Sequence, residues 1–125
     1  MDTLMNSPSA SAPAVLVPPE LEPITWLCSG QVRYVEEGGR RFIYMQGLRF
    51  NVGTHAQEMD ALLALNWPNP TYPTRLFLPQ RLGHGLNWHE DAFILGKPWF
   101  TWSWKDVKAE QAPVEILANH LAALR

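Results

Sequence analysis

The stretch His55-Ala56-Gln57-Glu58-Met59-Asp60-Ala61-Leu62-Leu63-Ala64-Leu65-Asn66 decides the fold. Its Ala, Leu, Met, Glu and Gln favour helix, and Thr54 stands where a helix cap would. Yet Met59, Ala61, Leu63, Leu65 and Trp67 also alternate, and a central strand covered on both faces reads as such a mostly apolar run. One reading gives a helix in the middle of the chain, the other a sheet running through it.

The flanks lean towards a sheet. Upstream, Gln31-Val32-Arg33-Tyr34-Val35-Glu36 and Arg41-Phe42-Ile43-Tyr44-Met45-Gln46 are β-prone runs joined by Glu37-Gly38-Gly39-Arg40, the pattern of a hairpin. Across its turn, Glu36-Glu37 and Arg40-Arg41 are expected to form a solvated set of opposite charges. Leu48, Phe50 and Val52 then alternate onto one further strand face. Downstream, Pro68-Asn69-Pro70-Thr71-Tyr72-Pro73 forbids regular structure, because prolines lack a donor and restrict the residues before them. Thr74-Arg75-Leu76-Phe77-Leu78 makes a short strand stopped by Pro79.

From Gln80 to about Gly96 the chain shows Gly83, Gly85 and Asn87 and no sustained period, so a long surface loop is expected. Gly96-Lys97-Pro98-Trp99-Phe100-Thr101-Trp102-Ser103-Trp104-Lys105 follows, with Phe100, Trp102 and Trp104 on one strand face. Trp102 and Trp104 are expected to pack under a C-terminal amphipathic helix carrying Val114, Leu117, Leu121 and Leu124. Trp99, next to Pro98, is expected to stay partly exposed and serve a partner.

Length and composition bound the rest. The 125 residues suit one domain with a core of its own. Residues 1 to 19, rich in Ser, Ala and Pro, read as a disordered arm, and the domain spans 20 to 125. The N-terminal residues carry no basic segment ahead of an apolar core, so neither export nor a membrane span is expected, and a cytoplasmic setting fits the single cysteine, Cys28. Net charge is −2 and no basic cluster exceeds Arg40-Arg41, which argues against nucleic acid as a partner.

Candidate chemistry is concentrated in the expected loop. His84, His89, Glu90 and Asp91 are the densest group of bases and metal-ligand types, but no HExxH or paired-His spacing occurs, so no metal or other cofactor is expected. An acid/base site on His84, His89 and Asp91 is one reading; an aromatic-faced module for sugars or peptides is another. His120 reads as a boundary residue of the terminal helix. Cys28, beside Trp26 and Leu27, reads as a small buried hydrophobe.

The order of hairpin, further strands, Tyr-Pro connector, long Trp-rich segment and terminal helix resembles the ubiquitin-conjugating-enzyme fold over roughly residues 20 to 125. It is most similar to a small prokaryotic branch, family E. In such chains an apolar strand runs into a Pro-x-x-Tyr-Pro connector, matched loosely by Leu63 to Pro68 and by Asn69-Pro70-Thr71-Tyr72-Pro73. The resemblance implies that Met59 to Trp67 is a strand. It implies an α+β domain, a four-stranded antiparallel meander sheet with a C-terminal helix.

The chain departs from the family's catalytic pattern. Conjugating enzymes carry a His-Pro-Asn triplet, whose asparagine supports the oxyanion, with a cysteine shortly after; here the echo is His84-Gly85-Leu86-Asn87, and Asp91 to Lys97 holds no cysteine. The resemblance therefore implies a variant without thioester chemistry, which binds a ubiquitin-like protein or an activating enzyme in a bacterial conjugation pathway. Its candidate contact residues are Tyr72, Pro73, Trp88 and Trp99, and Asn87 joins His84, His89 and Asp91 as a weak catalytic candidate.

Overall fold

The computed structural model describes residues 17–125, apart from the side chains of Glu90 and Asp91; the sequence-predicted arm of residues 1 to 19 lies mostly outside that range. The described chain opens with a 3-10 turn, Pro19–Leu21, and a single-turn helix α1, Glu22–Thr25. Strands β1 (Val32–Glu37), β2 (Arg40–Val52), β3 (His55–Ala64) and β4 (Arg75–Phe77) follow. They pair antiparallel in the order β1-β2-β3-β4. A second hairpin, β5 (Trp88–Ile94) and β6 (Lys97–Trp102), precedes helix α2, Pro113–Leu121. The protein is thus α+β, a four-stranded antiparallel meander with a C-terminal helix; the decisive stretch is a strand from His55 to Ala64, and Leu65 to Trp67, expected to continue it, already belong to the connector, whose turn ties Trp67 N–H to Pro73 O.

Both faces of the meander are covered, and this explains the run that looked helical. Ala61 and Leu63 face a cluster built with Leu21, Ile24, Ile43, Met45, Leu48, Ile116 and Leu117, on the side of α1 and α2. Leu62 and Ala64 face a second cluster with Phe42, Phe77, Ile94 and Trp99, on the side of the β5–β6 hairpin. All four of these β3 residues are fully buried, so the strand shows no polar face in its second half. Burial on two sides outweighs a helix preference of a few tenths of a kcal/mol per residue.

The turn joining β1 to β2 holds Gly38 and Gly39 at φ +60° and +78°, the conformation a two-residue hairpin turn demands and glycine supplies without strain. Glu37 stands opposite Arg40 and Glu36 opposite Arg41, as expected. The charges are not simply solvated, however. The Arg40 guanidinium lies 4.7 Å over the Trp67 ring and that of Arg41 4.1 Å over Tyr34, while the Glu37 carboxylate accepts the Leu95 N–H at 3.0 and 3.2 Å.

β2 changes phase at Gln46-Gly47. Met45 pairs with Ala61 and Leu48 with Met59, so Asp60 alone opposes two residues, a bulge. Before it, Ile43 and Met45 face the helices; after it, Leu48 and Phe50 do. The Asp60 carboxylate holds the bulge closed, accepting from Gly47 N–H at 2.9 Å and from the Tyr44 hydroxyl at 3.1 Å.

The long loop expected over Gln80 to Gly96 is shorter than predicted, because Trp88–Ile94 is a strand. Its turn, Leu95-Gly96, has φ +53° and +80°, the same turn class as Gly38-Gly39 but with a leucine in the first position. The hairpin joins the main sheet through the Leu78–Phe100 bridge, where each backbone N–H donates to the other residue's carbonyl at 2.8 Å. Among the described residues, no helix is long and apolar enough to cross a membrane.

Candidate functional site

The candidate residues divide between the connector after β3 and the segment around β5 and β6. The connector is tied at both ends: Trp67 N–H donates to Pro73 O at 3.0 Å, and Asp106 N–H to Thr71 O at 2.9 Å. Tyr72 is half-buried, with the Arg75 guanidinium 4.5 Å from its ring centre. Pro73 is likewise half-buried.

Asn87, His89 and Ser103 form a polar knot at the open end of the second hairpin. His89 Nε2 lies 2.6 Å from Ser103 Oγ, and Asn87 Nδ2 donates to the same hydroxyl at 3.3 Å. The Ser103 N–H donates to Asn87 O at 3.2 Å. Ser103, unremarked in the sequence, is the hub of this knot. Only the meeting of Trp88 with Trp102 across the strands reveals it.

His84 belongs elsewhere. It sits in a tight turn at φ +62°, and its Nε2 donates to the main-chain oxygen of Arg125 at 2.8 Å. The two loop histidines therefore answer to different partners, and among the described residues no three metal-ligand side chains gather in one place. The Asp91 side chain lies outside the described residues, so the acid/base set is represented by His84 and His89 alone.

The tryptophans serve mostly as core. Trp88 is half-buried, donates from Nε1 to Gly83 O at 2.8 Å and lies 5.0 Å from the Trp102 ring. Trp102 packs with Leu117 and reaches the His120 ring, while Trp104 Nε1 donates to Asn119 O at 2.9 Å, so both do pack against the terminal helix. Trp99 departs from expectation. It is fully buried against Phe42, Leu62 and Phe77, with its indole N–H donating to Ile94 O at 3.0 Å. Strand parity turns Trp99 inward beside Thr101, towards the sheet face that the hairpin covers.

The large apolar side chains that do face solvent are others. Trp26, after α1, is 76% exposed and Phe93, near the β5–β6 turn, 72%. Phe93 rims a cavity of about 150 Å3 lined also by Glu37, Arg40, Phe42 and Trp67.

Cys28 is buried behind β2, bridged to Leu48. Burial pushes its thiol up to about 11, and the nearby Arg49 cation offsets only part of this. A thiol so placed is almost wholly protonated at neutral pH. His120 is not the boundary residue expected but is buried; its ring is pushed down to about 4 by burial and, secondarily, by Arg75. No family model, no curated protein and no solved structure matches this chain.

Proposed function

We propose that this protein is a ubiquitin-conjugating-enzyme-like chain, of the prokaryotic family E kind, that does not itself carry a thioester. In this reading it is a binding or scaffolding subunit of a bacterial ubiquitin-like conjugation pathway. What supports the architecture is the meander β1-β2-β3-β4 running into the Trp67-to-Pro73 connector, with a C-terminal helix on one face.

The observation that carries the loss of catalysis is Cys28. Transthiolation needs an exposed thiolate with an oxyanion donor beside it. The chain's one sulfur nucleophile is 7% exposed, is held as a thiol and lies before the first strand. The window Asp91 to Lys97, in which the resemblance would put the family's cysteine, holds none and lies in the β5–β6 hairpin.

A binding role draws on surface aromatics. Phe93 and the half-buried Trp67 and Tyr72 lie on the connector and hairpin, and Trp26 stands apart just after α1. Titrating the protein against the ubiquitin-like protein and the activating enzyme tests this. Saturable binding to one of them, weakened at least tenfold by Phe93→Ala or Trp26→Ala, is the expected result. No binding to either would remove the pathway reading.

A further inference from the structure

We propose that β1 is a self-pairing edge, and that two copies of this chain join their sheets antiparallel along Val32–Glu37 with Val35 at the two-fold axis. This inference is independent of the conjugation reading.

Sheet edges are templates for strand addition unless they are blunted. The edge beyond β4 is taken up by the hairpin through Leu78–Phe100, and β5, the outer strand there, is interrupted by a register shift between His89 and Ala92. β1 has neither device. Its pairing to β2 is regular over all six residues, with no proline, lysine or bulge.

Which groups face outward follows from the turn. Glu37 opposes Arg40 across a two-residue turn, and Gln46 N–H donates to Gln31 O, so the odd-numbered residues of β1 exchange bonds with β2. Val32, Tyr34 and Glu36 aim their N–H and C=O away from it. Among the described residues, no backbone group is bonded to these outward donors and acceptors.

Symmetry then restricts the register. A two-fold axis perpendicular to the sheet keeps each side chain on its own face, so a residue can oppose only itself or one an even number of positions away. Centring on Arg33, Glu36 or Glu37 sets like charges face to face. Centring on Tyr34 pairs Arg33 with the second copy's Val35. Centring on Val35 sets Arg33 opposite the second copy's Glu37, twice over, with each Tyr34 opposite a Glu36. Glu37 holds the Leu95 N–H but keeps carboxylate lone pairs for a guanidinium.

The same register lays the second copy's Gly38-Gly39 turn alongside Val32 and Gln31. A depression of about 490 Å3 lies there, between Gln31–Arg33 and the opposing Pro19, Glu22 and Thr25. Two residues without side chains suit such a recess.

Mass in solution tests the pairing. Light scattering up to sub-millimolar concentration should approach twice the 14.2 kDa chain mass. Glu36→Pro, which removes one outward N–H and no bond to β2, should return it to the monomer with an unchanged circular dichroism spectrum. Val35→Cys should form a disulfide-linked dimer on mild oxidation, while the parent protein, whose Cys28 is buried, forms none. A monomer throughout that range, or a dimer that survives Glu36→Pro and leaves Val35→Cys uncrosslinked, would overturn the proposal.

Discussion

His120 Nε2 lies 2.9 Å from Thr74 Oγ1 in the interior, and the same hydroxyl donates to Val107 O at 2.7 Å. The threonine has one proton and spends it on the carbonyl, so the imidazole must donate from Nε2, neutral, while the ring packs edge-on to Trp102. Helix α2, the residue leading into strand β4 and the segment before the helix are joined at this point.

The linkage sign follows directly. Folded His120 titrates near 4 and unfolded histidine near 6.5, so between these values the unfolded chain binds more protons. Its contribution is complete above about pH 6.5 and falls away as pH drops towards 4, by on the order of 3 kcal/mol. Urea denaturation at steps between pH 7.5 and 4.5 should show the loss, and the difference between the parent and His120→Gln should shrink across that window. A difference independent of pH would contradict the assignment.

The bulge in β2 depends on Gly47. This residue sits at φ +63°, and a Cβ there would run into Ser29 Oγ. Gly47→Ala should cost about 2–4 kcal/mol, combining backbone strain with overlap. Gly38→Ala has the same sign of φ but open space around it, so about 1 kcal/mol is expected. Ser29→Ala in the Gly47→Ala background should recover the overlap portion alone. Equal losses at Gly38 and Gly47 would show that the close approach has no effect.

Two tryptophans should behave oppositely. Trp99→Ala removes a wholly buried ring and should destabilise by about 3–5 kcal/mol, whereas Trp26→Ala, at an exposed site, should stay within about 0.5 kcal/mol. Chemical denaturation of the two variants compares them directly.

Cys28 should be nearly inert towards thiol reagents. With its thiol near 11 instead of the usual 9, the thiolate fraction at neutral pH falls by on the order of a hundredfold, before burial is considered. Ellman's reagent should react slowly with the native protein and at once in guanidinium. Rapid reaction of the folded protein would place the sulfur at the surface.

Local signals served well where one element was decided by its own residues. Gly38-Gly39 between β-prone runs names its turn, and the three prolines of the connector leave no regular alternative. The β5–β6 hairpin was hidden because Leu95-Gly96 lacks the Asn-Gly or Asp-Gly that marks this turn, and because Glu90-Asp91 breaks the alternation where the register shifts. Without that hairpin, nothing in the sequence says that the second face of the sheet is covered. Local signals alone therefore leave Trp99 outside, and the Asn87–His89–Ser103 knot, which needs both strands, has no signature in either one.

The proposed role, binding within a conjugation pathway without holding a thioester, can be tested directly. The direct measurement mixes the protein with an activating enzyme, ATP and the ubiquitin-like protein, and resolves the products on a non-reducing gel. The expected result is that no reductant-sensitive adduct forms on this chain, although it binds one of those proteins. A thiol-labile band that disappears in Cys28→Ser would contradict it, for the buried sulfur would then be the acceptor.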